Sequence, residues 1–350
     1  MHIYEYLFTA IVIVTMLVAA SVMVTTMPQP SLSVSAKEQL KTTTQRIMTQ
    51  LILETGDPPD WGSNVSISAK DMKLFGLAKY TESTREAYVL DPDKVQRLSD
   101  QNPLYIPPGD VVGLLNINRE YGLMLCFEPG VGVNVKPLAG GQYEISVYSN
   151  QNKLPIANAK VFAKMIYYNG SAFKVSDGLP EDSLVTDPSG RVRYTFNIFD
   201  GQPRDKVLVI VVDYFGVRFI NTYFPNGTDY VRGYTIGNKV IFKEQQTFGN
   251  TNITQILVLR SDDRYDVKCV DSEILRENAT FYNISYVEPS AVLLMLDQDG
   301  KLIIAWKDVP ECYSSLPGAV SIPFAYSLER NVMIGGSSYT MRVQVWRMTW

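Results

Sequence analysis

Residues 6–27, YLFTAIVIVTMLVAASVMVTTM, carry no charged side chain. A helix of about 22 residues is long enough to cross the ~30 Å hydrocarbon core of a bilayer. Two readings compete. A cleaved signal peptide has Lys or Arg ahead of a shorter apolar core. The leader MHIYEY has neither, although VAAS at 18–21 imitates a cleavage site. The retained anchor is the stronger reading, and it makes residues 1–30 a transmembrane helix and hinge whose partner, through residues 6–27, is the lipid bilayer. The first lysine is Lys37, so flanking positive charge does not orient the helix. Six N-x-[ST] sequons do so instead: Asn64, Asn169, Asn226, Asn252, Asn278 and Asn283 all follow the anchor, which places the bulk of the chain outside the cytoplasm at the cell membrane. Glu5 sits at the membrane edge as an interfacial carboxylate, or deeper, where burial without a partner is costly.

After the proline-broken hinge PQPSLS (28–33), residues 34–55 have Leu40, Thr44, Ile47 and Leu51 at i, i+4, i+7 and i+11, one face of a helix. Ser33 or Ser35 suits its N-cap. Gly56 suits the left-handed position past its end, and Pro58 and Pro59 forbid continuation. The stretch LETGDPPDWGSN (53–64) therefore turns the chain off an amphipathic stalk and lays Trp61 against apolar surface. Trp61 reads as a plug docking stalk to head; a sugar-stacking platform is the other reading. LDPDKVQRL (90–98) reads as a short helix with Asp91 as N-cap and Pro92 in its first turn. Residues 31–130 form the stalk and a small α/β connecting region, and REYGLMLCFEP (119–129) opens the β region.

Taken in order, the apolar N-terminal helix, the stop LETGDPPDW (53–61), FGLAKY (75–80), LDPDKVQRL and LNINREYGLMLCFEP (115–129) resemble archaeal cell-surface membrane proteins with a type IV pilin-like N-terminal helix. In that group a TPG-x-P-x-x-W stop, a GLA segment, an LD-x-x-K helix and a YG strand follow in this order. The resemblance covers about the first 130 residues and the closing RNVMIGGSSYTMRVQVW (330–346). It implies a pilin-like, glycosylated surface protein with an Ig-like ectodomain. It also implies a subunit-pairing role for Glu5, because type IV pilins use a glutamate at the fifth position to meet a neighbour's N-terminal amine. MHIYEY lacks the basic residue and glycine that type III pilin signal peptides place before the helix, so processing by a prepilin peptidase is not implied.

Between these segments the chain is rich in β-branched and aromatic runs separated by turn clusters. The expected fold class is mainly β with an N-terminal α-helical anchor and stalk and two β-sandwich-like modules. The first, residues 131–228, has strands at 142–149, 159–168, 190–199, 205–215 and 217–224. PIANAKV (155–161) with TDPSGRVRYTF (186–196) resembles bacterial Ig-like or carboxypeptidase-regulatory-like sandwiches. The second, residues 229–350, has strands at 255–261, 265–270, 279–287, 290–308 and 338–350, with DQDG (297–300) as a hairpin connection.

What is missing narrows the chemistry. The only histidine is His2, which removes Ser-His-Asp and Cys-His catalysis and most zinc sites. A net charge of −4 offers no footprint for nucleic acid. Asp297 and Asp299 lack the rest of a calcium loop. Cys126, Cys269 and Cys312 fit no metal or redox spacing; either Cys269 pairs with Cys312 or all three are free thiols. No catalytic residue, metal or cofactor is expected. The expected function is a membrane-anchored structural or adhesive surface protein, minor-pilin-like, with other surface or pilin-like subunits as the further partners of such a role. The alternative is a carbohydrate- or peptide-binding receptor that uses Trp61, Trp306 and tyrosines, and last comes a carboxylate-based hydrolase.

Overall fold

A computed structural model describes residues 2–26, 34–81, 87–117, 120–169, 172–180, 184–197, 206–225, 230–242, 253–260, 265–269, 276–277, 281–284, 290–297, 302–316 and 324–348. The protein is mainly β, with four helices among the described residues: α1 (His2–Thr26), α2 (Val34–Leu53), α3 (Pro92–Gln96) and α4 (Pro108–Leu114).

The described side chains of α1 are apolar almost all round and stand away from every core. Phe8 is 71% exposed, Met16 69% and Leu17 65%. Thr15 keeps its hydroxyl inside the helix, donating to the carbonyls of Ile11 and Val12 at 2.9 Å. Among the described residues no helix is long and apolar enough to cross a membrane. In α1 the run of described side chains, 8–19, rises only about 18 Å at ~1.5 Å per residue.

Helix α2, expected as a stalk, buries the face read from the sequence: Leu40, Thr44, Ile47 and Leu51 are all buried, together with Met48 and Ile52. Each of the aliphatic side chains contributes about 1.5–3 kcal/mol by leaving water. They pack on a five-stranded sheet ordered Val89–Leu90, Ala325–Ile334, Ser337–Arg347, Tyr121–Pro129, Cys312–Ser314. Tyr121–Pro129 pairs with the closing strand along its whole length, from Tyr121 opposite Arg347 to Pro129 opposite Tyr339. This corrects the expected boundary. Strands Cys312–Ser314, Ala325–Ile334 and Ser337–Arg347 belong not to a C-terminal module but to the first unit, because the alternating apolar side chains Met341, Val343 and Val345 complete the core under α2.

The described strands from Val131–Pro137 to Leu302–Trp306 are thus inserted into that unit. The first insert is a sandwich of two four-stranded sheets, Val131–Pro137, Gln142–Ser149, Arg191–Thr195, Leu179–Pro180 against Val217–Tyr223, Lys206–Tyr214, Lys160–Tyr168, Phe173–Asp177. The second insert contributes a single hydrogen-bonded sheet of eight strands among the described residues, including one parallel pair, Tyr230–Ile236 with Leu302–Trp306. One face of it packs on the outer face of the sandwich, where Leu257, Leu294 and Ile304 meet Ile166, Val207 and Val209. Strand Lys206–Tyr214, KVLVIVVDY, is consequently buried on both faces from Val207 to Val212, as its unbroken apolar run demands.

Candidate functional site

The densest polar feature of the interior is α3, PDKVQ, every residue of which is buried. Asp91 caps it by accepting from the Asp93 amide at 2.9 Å, and Pro92 occupies the first turn, where a missing N–H costs nothing. With so short a helix, residues three apart share a face. Lys94 and Arg97 form one face and Asp93 and Gln96 another, and the two faces hold different parts of the molecule.

The cationic face holds the first unit. Lys94 Nζ, with no exposed surface, donates to the carbonyls of Thr55 and Ala78 at 2.8 Å each, and Asp91 lies 3.9 Å away. Arg97 donates to the carbonyls of Trp61, Ile67 (2.6 Å) and Leu104 (3.0 Å), and its guanidinium lies 5.5 Å from the centre of the Trp61 ring. The carbonyls of Thr55, Trp61, Ile67, Ala78 and Leu104 therefore find in two side chains the donors that a sheet would otherwise supply. Burial pushes the Lys94 amine down to about 8 and the Arg97 guanidinium to about 10. Burial, with the neighbouring Asp93 second, holds the Asp91 carboxyl above the usual carboxylate range.

The other face reaches the eight-stranded sheet. Gln96 Nε2 donates to the Thr235 carbonyl at 2.7 Å, the Gly237 amide donates to Asp93 Oδ1 at 3.0 Å, and Lys307 Nζ contacts the same oxygen. Tyr234, Ile236 and Ile241 pack beside them against Val65 and Leu104. Beside α3, a cavity of about 370 Å³ opens between the three units, lined by Phe127, Phe219, Trp306, Lys307 and Tyr339 among others. Burial pushes the Tyr339 hydroxyl up to about 12. Nearby, Arg232 pairs with Asp308 at 2.6 Å and lies over the Trp306 ring at 4.6 Å.

Trp61 is fully buried in the cluster that includes Ile47, Leu51 and Phe75, with its indole N–H donating to the carbonyls of Thr55 and Gly76 at 3.2 Å. A sugar-stacking role is incompatible with that burial. The cysteine pairing needs correction: the disulfide joins Cys126 to Cys312, not Cys269 to Cys312. These two are register partners on adjacent antiparallel strands, whereas Cys269 lies on strand Tyr265–Cys269 at the edge of the eight-stranded sheet. Of the sequon asparagines, Asn169 is exposed, and Asn64 is half-buried with Nδ2 donating to Asp60 at 3.2 Å. Asn226, Asn252 and Asn278 lie outside the described residues, as do the side chains of Asn283 and Glu5. Among the described residues no group of three or more His, Cys, Asp or Glu is placed to hold a metal ion.

The buried charges of α3 escaped the sequence reading, because a helix with three ionic side chains in six residues looks solvent-facing. No protein-family model matches the chain, and no curated protein matches it.

Proposed function

We propose that this chain is a membrane-anchored, extracytoplasmic surface protein of structural or adhesive role, built on a pilin-like plan. The observation that carries the proposal is the contrast between the two N-terminal helices. The described side chains of α1 are exposed and apolar, with Phe8, Ile11, Val14 and Leu17 each at least 53% exposed, while α2 is locked into the head. An apolar helix with no protein core to enter needs a bilayer or the helices of other subunits around it. The Cys126–Cys312 disulfide favours an oxidising, extracytoplasmic setting. The head then stands beyond the membrane, with the sandwich and the eight-stranded sheet carried as inserts. Protease applied to intact cells should digest the β inserts while an N-terminal fragment stays with the membrane; complete protection of the head in intact cells contradicts this orientation.

A receptor role has one supporting observation, the cavity of about 370 Å³ with aromatic and aliphatic walls at the meeting of the three units. Of the two tryptophans expected to contact a ligand, Trp61 is buried in the core and Trp306 is half-buried at the cavity, beside Tyr339. Loss of a bound ligand on Trp306→Ala, with unchanged thermal stability, would shift the balance to this reading.

A further inference from the structure

Asp93 and Lys307 meet where α3 abuts the eight-stranded sheet, and the two lysines near this short helix are not equivalent. Lys94 is committed to two backbone carbonyls. Lys307 instead directs its amine at Asp93, in direct contact with Oδ1, and the two side chains are only 6% and 12% exposed. The same oxygen also accepts hydrogen bonds from Gln96 Nε2 at 2.9 Å and from the Gly237 amide at 3.0 Å. Two fixed N–H donors therefore polarise the carboxyl group at the oxygen that an acyl carbon would keep. Burying an ammonium and a carboxylate together carries a large desolvation penalty. A neutral amide in their place removes both charges.

We propose that Lys307 and Asp93 condense into an intramolecular isopeptide bond that ties α3 covalently to the eight-stranded sheet across 214 residues of sequence. Proton transfer within the ion pair first gives a neutral amine and a neutral acid. Nζ of Lys307 then attacks Cγ of Asp93, forming one N–C bond. Oδ1, held by Gln96 and Gly237, remains as the amide carbonyl. The C–Oδ2 bond breaks, and that oxygen departs as water with the second proton from nitrogen. Nothing is oxidised or reduced. That second proton passes from nitrogen to the leaving oxygen within the tetrahedral adduct. Pro92 and Lys307 line the cavity of about 370 Å³, which gives the released water a way out.

Peptide mapping of the full-length protein, reduced, denatured and cut with trypsin, tests this. The bond predicts a branched peptide joining 86–94 to 302–330, with cleavage blocked after Lys307 and a mass one water below the sum of the two. Recovery of 86–94 and of a peptide ending at Lys307 as separate linear species in full yield overturns the proposal. In Lys307→Arg the branched species should vanish.

Discussion

Cys126 and Cys312 lie 186 residues apart in the chain and directly opposite each other on adjacent antiparallel strands, joined by a disulfide. The bond sits where the chain leaves the first unit and returns to it, so it clamps the base of both inserts. Cys269 is left outside it. Thiol titration of the denatured, unreduced protein should find one reactive cysteine, and mapping should place it at Cys269. Cys126→Ser with Cys312→Ser should lower stability by about 2–5 kcal/mol, as expected for removal of a long-loop disulfide, measured by denaturant unfolding of the folded head. Three free thiols, or a bond at Cys269, would contradict the register.

Gly56, just beyond the end of α2, lies in the left-handed region at φ +84°, and an added Cβ would sit 2.6 Å from the Trp61 indole nitrogen. Gly56→Ala should therefore cost more than about 1 kcal/mol from backbone strain alone, before the displaced tryptophan is counted. Gly109, in α4 with open space around it, is the control: alanine there should be neutral or stabilising by up to about 1 kcal/mol. Equal shifts in the denaturant midpoints of the two variants would contradict the packing of Trp61 on the stop.

Arg97 closes three backbone carbonyls that have no strand to pair with. Arg97→Met keeps much of the stem and removes the donors, so it should destabilise the head by roughly 3 kcal/mol or more, at about 1–3 kcal/mol per buried acceptor left unmade. An effect below about 0.5 kcal/mol, the scale of ordinary surface changes, would contradict the burial of α3.

Lys94 makes a pH-dependent contribution whose sign follows from its depressed amine. In the folded chain it titrates near 8, against 10.5 unfolded, so between these values the unfolded state binds more protons and stability rises with pH. The contribution is fully present above 10.5 and is lost as pH falls through about 8. Between pH ~7 and ~10 the wild type should gain more, or lose less, stability than Lys94→Met. Parallel pH profiles of the unfolding midpoint would contradict the assignment.

Local patterns in the sequence carry local structure well here. The α2 face, the Gly56 stop and the Asp91 cap depend on neighbours a few residues away, and the strands of the sandwich show their period directly. Relationships set by distant register do not appear in any window of sequence. Cys126 meets Cys312 only because the closing strand returns to Tyr121–Pro129, and Lys307 meets Asp93 only because two units abut. The unbroken run KVLVIVVDY announces burial on both faces without naming what covers the second. Lys94 and Arg97 mislead for a physical reason: their carbonyl partners come from loops, which carry no periodicity to read.

The central claim is that α1 holds the protein in a membrane while the head folds without it. Fractionation of the full-length chain beside a variant lacking residues 1–27 tests this most directly. The full-length protein should stay with carbonate-washed membranes and require detergent for release, while the truncated head should be soluble and monodisperse with an unchanged unfolding midpoint. Full-length protein that is soluble and monodisperse without detergent would contradict the account.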